Sequence, residues 1–89
     1  MAALLIPPIL RPYTEGRDRV EVTAATADEA LAALRDRFPD AAARLAHALE
    51  RRYVIVSLGG VDLRELSGGA TPLGADDELH LLWAVAGGA

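Results

Sequence analysis

The sequence has 89 residues, of which 52% are hydrophobic, carries a net charge of −4 and contains no cysteine. This length allows one small domain with a packed core, and the absence of cysteine excludes a disulfide framework, a thiolate zinc site and a cysteine nucleophile. The acidic net charge disfavours nucleic-acid binding, which needs a basic face. No apolar run approaches the roughly 20 residues of a membrane span, so we expect a cytoplasmic protein.

Two short strands are predicted near the N-terminus. Residues 2–6 form an apolar run that Pro7 and Pro8 end, because proline supplies no N–H group to a sheet. A turn-rich stretch follows at 11–18, and residues 20–22 then alternate apolar and polar side chains as a half-buried strand does. The two runs can pair as an antiparallel hairpin with a long connection.

Two helices are predicted in the middle of the chain. Thr26 and Glu29 have the spacing of a capping box, which marks the start of a helix. Apolar side chains recur behind it at helical spacing as far as Phe38, and Pro39 ends this helix. Asp40 is expected to cap a second, short helix over 41–49.

The last third of the chain predicts two further strands and a tail. Residues 53–58 are rich in β-branched side chains and stop at two glycines, and 61–64 are expected to form a brief edge strand. Residues 78–83 form the last strand, so we expect a domain over 1–83 and a flexible C-terminal tail over 84–89. This order of elements predicts a β-grasp (ubiquitin-like) α+β fold, in which one main helix covers one face of a mixed sheet of four to five strands.

Motifs at the two ends of the chain are similar to those of a known family. Residues 6–12 read IPPILRP and residues 82–88 read LWAVAGG, and the sequences DLR at 62–64 and SGG at 67–69 lie between them. The first motif resembles the opening hairpin of the CysO-type sulfur carriers, and the last resembles their terminal LPAVAGG. These carriers belong to the wider ThiS and MoaD family of ubiquitin-fold proteins, and the resemblance covers nearly the whole chain.

The resemblance implies a carrier protein that is not itself an enzyme and binds no cofactor. An E1-like enzyme of the MoeB or ThiF type would use ATP to adenylate Gly88, and a sulfide equivalent would displace AMP to leave a thiocarboxylate. A sulfur-accepting synthase, cysteine synthase-like, thiazole synthase-like or of another type, would then take the sulfur. Cysteine biosynthesis is the favoured pathway, and the free carrier is expected to be a monomer.

The tail has a physical requirement that glycine meets. Val85, Ala86 and Gly87 are expected to thread the partner's active site, where a Cβ atom close to ATP would clash. Ala89 departs from the family pattern, in which the chain ends at the second glycine. Because adenylation needs the free carboxylate of Gly88, we expect Ala89 to be either a pro-residue that a zinc metalloprotease removes or an artefact.

A partner-binding patch is predicted on the open face of the sheet. Strand alternation directs Leu82 outward, and it directs Trp83 toward the helix, where it is expected to fill the core. The same alternation and the register of the family place Ile55 and Leu5 on the outer face. Leu5, Ile55 and Leu82 would then form an apolar patch beside the tail, of the kind that often marks a partner surface.

Two alternative functions stay open at this point. The chain could be a protein modifier joined through Gly88 to partner lysines, or a β-grasp interaction subunit with an inert tail. An enzyme is disfavoured because no nucleophile–base pair is apparent. No metal site is expected either, because the two histidines, His47 and His80, lie on different elements and show no metal-ligand spacing.

Overall fold

The computed structural model describes residues 1–83. The elements follow in the order β1 (Ala2–Leu5), a 3-10 helix (Pro8–Tyr13), β2 (Arg19–Val22), α1 (Ala27–Arg37), α2 (Pro39–Glu50), β3 (Val54–Leu58), β4 (Val61–Asp62) and β5 (Glu78–Trp83). Two further short 3-10 helices, Leu63–Glu65 and Gly68–Ala70, lie between β4 and β5. The strands and helices predicted from the sequence are therefore all present, but the edge strand predicted over 61–64 ends at Asp62, and Leu63 and Arg64 belong to a 3-10 helix.

The strands form one five-stranded sheet in the order β2-β1-β5-β3-β4. β1 pairs with β2 in antiparallel fashion and with β5 in parallel, while β3 pairs antiparallel with both β5 and β4. The strand predicted over 78–83 thus lies in the middle of the sheet, between β1 and β3. This arrangement confirms the predicted β-grasp fold.

Both helices cover the same face of the sheet. α1 packs against β1 and β2, and α2 packs against β3, the 3-10 helix and α1. The core between them and the sheet contains fully buried side chains from both halves of the chain, among them Leu4, Val20, Leu34 and Leu79. The sequence predicts one main helix over the sheet. In the structure α2 has 12 residues and α1 has 11, so the two helices cover the sheet together.

The capping box at the start of α1 is confirmed. The Thr26 hydroxyl accepts a hydrogen bond from the backbone N–H of Glu29 at 3.3 Å, and the Glu29 carboxylate accepts one from the backbone N–H of Ala25 at 2.9 Å. The first bond satisfies a donor that a helix start otherwise leaves without a partner, and the second ties the residue before the N-cap to the first turn. Within residues 1–83, no helix combines the length and the apolar content that crossing a membrane requires.

The prediction that Asp40 caps the second helix is wrong. α2 starts at Pro39, its N-cap residue is Phe38, and no side chain caps it. Proline suits the first helical position because its φ angle is already helical and its missing N–H would have no partner there. Asp40 lies within the first turn, where its negative charge interacts favourably with the positive end of the helix dipole.

The stretch predicted as turn-rich contains a 3-10 helix. It begins directly after Pro7, which is buried, and it packs against α2. Thr14 at its end is completely buried, and its hydroxyl donates to the carbonyl of Arg17 at 2.9 Å. The connection between β1 and β2 is therefore a packed element that belongs to the core.

Removing the cap of α1 is expected to destabilise the domain moderately. Thr26→Ala leaves the Glu29 N–H without its side-chain acceptor, and the expected loss in unfolding free energy is about 1 kcal/mol. Urea denaturation followed by circular dichroism measures this loss. Thr23→Ala removes a hydroxyl from an exposed loop residue outside the helix and is expected to change stability by less than about 0.5 kcal/mol; an equal loss in both variants would contradict the capping role.

Candidate functional site

The strand that leads into the predicted tail is held on both sides. β5 pairs with β1 along one edge and with β3 along the other, and Trp83 is its last residue. The site residues predicted beyond it lie outside the described residues and stay predictions: Val85, Ala86, Gly87, Gly88 and Ala89. The structure thus describes the chain as far as Trp83, at the end of a central strand, and the predicted tail follows that residue in the sequence.

The three residues of the predicted patch lie on one face of the sheet. Ile55 is directly opposite Leu82 across the β3–β5 pair, and Leu5 is opposite His80, two residues before Leu82. Because side chains two residues apart on a strand share a face, all three point away from the helices. Leu82 is 48% exposed, whereas Leu5 and Ile55 are half-buried. The arrangement is that of an apolar patch at the root of the tail, and its role as a partner surface stays a prediction.

The prediction that Trp83 fills the core is wrong, since this side chain is 38% exposed. Trp83 pairs with Val54, the first residue of β3, and therefore stands at the end of the sheet. Its ring contacts that of Tyr53, with the two centroids 6.3 Å apart and the rings tilted by 45°. Alternation along a strand gives the face on which a side chain lies, but it does not give the distance from the edge of the core.

Trp83 forms part of a groove that the sequence analysis missed. The groove has a volume of about 770 Å³ and runs between the 3-10 helix and α2, with Ile9, Tyr13, Arg44 and Tyr53 in its walls. The Arg44 guanidinium lies over the Tyr13 ring, 4.1 Å from its centroid, in a cation–π contact. No local sequence signal marks this groove, because its walls come from three separate elements and from Tyr53, which precedes β3.

A second hollow lies on the other side of Trp83, next to the apolar patch. It has a volume of about 510 Å³, and Leu5, Pro7, Arg11, Leu82 and Trp83 are among the residues that line it. The hollow therefore shares two leucines with the patch and continues it toward the 3-10 helix. Together they place apolar side chains beside the end of β5.

The motifs DLR at 62–64 and SGG at 67–69, which lie between the two end motifs, each have a structural explanation. Asp62 accepts a hydrogen bond from the backbone N–H of Arg64 at 2.9 Å, and its other carboxylate oxygen lies 2.7 Å from the Arg64 guanidinium. The guanidinium first, and then the backbone N–H, hold the pKa of Asp62 below its ordinary value. Gly69 packs against the Asp28 carboxylate, with which a Cβ atom at Gly69 would collide. Both motifs thus shape the connection between β4 and β5.

The two histidines do not form a common site. His47 is exposed on α2 beside the groove, and His80 is half-buried in the middle of the open face. The sheet separates them. Among residues 1–83, no three histidine, aspartate or glutamate side chains come together in a way that could hold a metal ion.

Known proteins are similar to this chain in fold and in sequence over almost its whole length. The model of the ThiS family matches residues 4–88. Mycobacterium tuberculosis CysO is 27% identical with a TM-score of 0.84, over 96% of this chain and 100% of that one. A chain of the Amycolatopsis orientalis BexX/CysO complex is 29% identical with a TM-score of 0.78, over 99% and 100%. SAMP1 from Haloferax volcanii is 26% identical with a TM-score of 0.62, over 98% of both chains. No curated protein matches the sequence.

Proposed function

The chain belongs to the ThiS family, and from this premise we propose that it carries sulfur as a thiocarboxylate on Gly88 after Ala89 has been removed. At a coarser level it is a ubiquitin-like, CysO-like sulfur carrier or modifier. It is a non-catalytic carrier, since carriers of this type are substrates of other proteins. The observation that supports the proposal best is that the family match extends to residue 88 and so includes both glycines of the tail.

The proposed chemistry takes place at one carbonyl carbon. A carboxylate is a poor electrophile, so an adenylating enzyme first joins the Gly88 carboxylate to the α-phosphate of ATP and releases pyrophosphate. A sulfide equivalent then attacks the carbonyl carbon, and AMP leaves with the electron pair of the broken C–O bond. The product is a thiocarboxylate, whose sulfur can attack an electrophilic acceptor. ATP is used by the partner, and the carrier binds no cofactor.

The domain contributes position to this chemistry. β3 pairs with β5 as far as Trp83, and β1 pairs with it as far as His80, so the end of β5 has a defined location next to the apolar patch. Five extended residues, 84–88, reach roughly 17 Å from Trp83. A partner that binds the patch at the root can therefore receive Gly88 in an active site at about that distance, while the electrostatic stabilisation comes from the partner.

The proposed partners are enzymes. The BexX/CysO complex shows a chain similar to this one bound to another protein, which supports a partner-binding surface here. We assign adenylation to an E1-like enzyme of the MoeB or ThiF type, and removal of Ala89 to a zinc metalloprotease. The acceptor would be a synthase that needs a sulfur nucleophile, with a cysteine synthase-like enzyme favoured over a thiazole synthase-like one.

The intact mass of the protein from its own cells tests this proposal. We expect a chain that has lost Ala89 and has exchanged one oxygen atom for sulfur. A chain that retains Ala89 even under sulfur demand would contradict the carrier function and favour an inert subunit. The second candidate is a protein modifier, which the similarity to SAMP1, a small archaeal modifier protein, supports; isopeptide adducts between Gly88 and partner lysines would establish it.

A charge in the apolar patch is expected to weaken partner binding. Leu82→Asp places a carboxylate at the centre of the surface, so the affinity for the adenylating enzyme should fall at least about tenfold in isothermal titration calorimetry. Because Leu82 is 48% exposed, the fold should tolerate the change. Leu66→Asp introduces the same charge at a side chain that is 45% exposed and outside the patch, and it should bind as the unchanged protein does. An equal loss in both variants would mean that net charge, and not the patch, controls binding.

A further inference from the structure

We propose that Arg11 is a docking anchor, and that the hollow at the root of the tail accepts a segment of the adenylating enzyme that carries a carboxylate next to an aliphatic side chain. This inference rests on the proposed function and adds the chemistry by which the partner is recognised. Three features of the hollow support it: the fixed position of the arginine, its missing counter-charge and the apolar surface beside it.

The guanidinium of Arg11 is held in place by the domain itself. Its Nε donates a hydrogen bond to the backbone carbonyl of Ile6 at 3.0 Å, and the residue is half-buried. Arg11 is one of the residues that line the hollow, and a guanidinium whose Nε is already bonded can still donate two parallel hydrogen bonds from its terminal nitrogens to a carboxylate. Because the side chain is already ordered, a partner that binds it loses less conformational entropy than it would with a mobile arginine.

Arg11 has no counter-charge among the described residues, in contrast to other arginines of the sheet region. Arg19 forms an ion pair with Glu78, and Arg64 forms one with Asp62. Asp18 lines the same hollow, yet within residues 1–83 no carboxylate pairs with Arg11. A half-buried cation without a partner, in a chain of net charge −4, is complementary to an acidic side chain that arrives from outside.

The rest of the hollow fits an aliphatic side chain. Leu5, Pro7, Leu82 and Trp83 provide apolar walls around a volume of about 510 Å³. A fixed cation beside an apolar recess matches the usual composition of a strong contact, in which a buried apolar anchor lies next to a desolvated charge pair. The hollow also adjoins the end of β5, so a partner that occupies it is placed at the root of the tail.

The binding of the full-length chain to the E1-like enzyme of the same organism tests the inference. Arg11→Gln removes the charge and should raise the Kd about tenfold, since a hydrogen-bonded ion pair is lost. Arg35→Gln makes the same change in net charge on the exposed surface of α1 and should leave the Kd unchanged. Arg11→Lys keeps the positive charge but lacks the planar guanidinium that donates two parallel hydrogen bonds, so it should retain part of the affinity. Thermal unfolding of each variant shows whether the domain is intact.

Other outcomes of the same titration would overturn the inference. If Arg11→Gln binds as tightly as Arg35→Gln, the arginine does not contact the partner. If Arg11→Gln binds more tightly than the unchanged chain, Arg11 holds the terminal carboxylate of its own chain. If sedimentation shows a dimer that Arg11→Gln dissociates, the occupant of the hollow is a second copy. By contrast, an unchanged chain that ends at Gly88 and is not adenylated in an ATP–pyrophosphate exchange assay would overturn the proposed function itself.

Discussion

Replacing Gly88 by valine is expected to abolish adenylation of a chain that ends at residue 88. The branched side chain adds atoms at the carbon next to the reacting carboxylate, where close approach to ATP favours a residue without a Cβ atom. A displacement of about 1 Å at a reacting atom can reduce a rate about a hundredfold, so we expect at least that loss in ATP–pyrophosphate exchange. The domain should unfold at the same temperature as before, because each buried core residue that the structure describes lies before the tail in the chain.

The matched control places the same side chain nearer to the domain. Ala84→Val adds two methyl groups four residues before Gly88 and ahead of the segment 85–87 that is expected to enter the partner. Its exchange rate should stay within about threefold of the rate of the unchanged chain. Full activity of Gly88→Val would contradict the proposed role of the terminal glycine, and an equal loss in both variants would indicate a general requirement for a slender tail.

The largest effect on stability is expected for Leu79→Ala. Leu79 is completely buried on the central strand, opposite Leu4 on one side and Leu58 on the other. Shortening it leaves a cavity between the sheet and the helices, and such changes destabilise by about 2–5 kcal/mol. Small domains have total stabilities of about 5–15 kcal/mol, so the variant should be close to unfolding at physiological temperature.

Urea denaturation measures this loss, with Leu82→Ala as the control. Leu82 lies three residues further along β5 and is 48% exposed, so its truncation should cost less than about 1 kcal/mol. The two variants delete the same atoms from the same strand and differ in the face on which the side chain lies. Similar losses in both would contradict the assignment of one face of β5 to the core and the other to the solvent.

The apolar patch could be predicted from the sequence because it depends on alternation along single strands and, for Leu5, on the register of the family that the sequence resembles. Leu5, Ile55 and Leu82 each occupy an outward position within a strand that the sequence marks clearly. The hollow and the groove could not be predicted, because Arg11 and Tyr13 lie in a segment that shows only turn residues. Its packing against α2 arises from contacts between elements some 30 residues apart, and no local pattern encodes those contacts.

The sequence by itself determined the type and most of the boundaries of the strands and α-helices, and the proposed chemistry of the tail rests on it as well. Capping residues, prolines and apolar periodicity act between neighbours in the chain, which is why Thr26 marks the start of α1 and Pro39 lies beyond its end. The terminal motif with Gly87 and Gly88 is likewise a local feature. These signals need no knowledge of the remaining chain.

Only the tertiary structure decided where the elements stand relative to one another. The parallel pairing of β1 with β5 joins residues more than 70 positions apart, and it is this pairing that places Leu5 opposite His80 in β5. The depth of a side chain follows from such packing, so Trp83 is exposed at the rim of the core although it lies on the helix side. Long-range contacts are fixed by the joint fit of the whole core, and therefore the surroundings of the tail, Arg11 included, emerge only when the chain is folded.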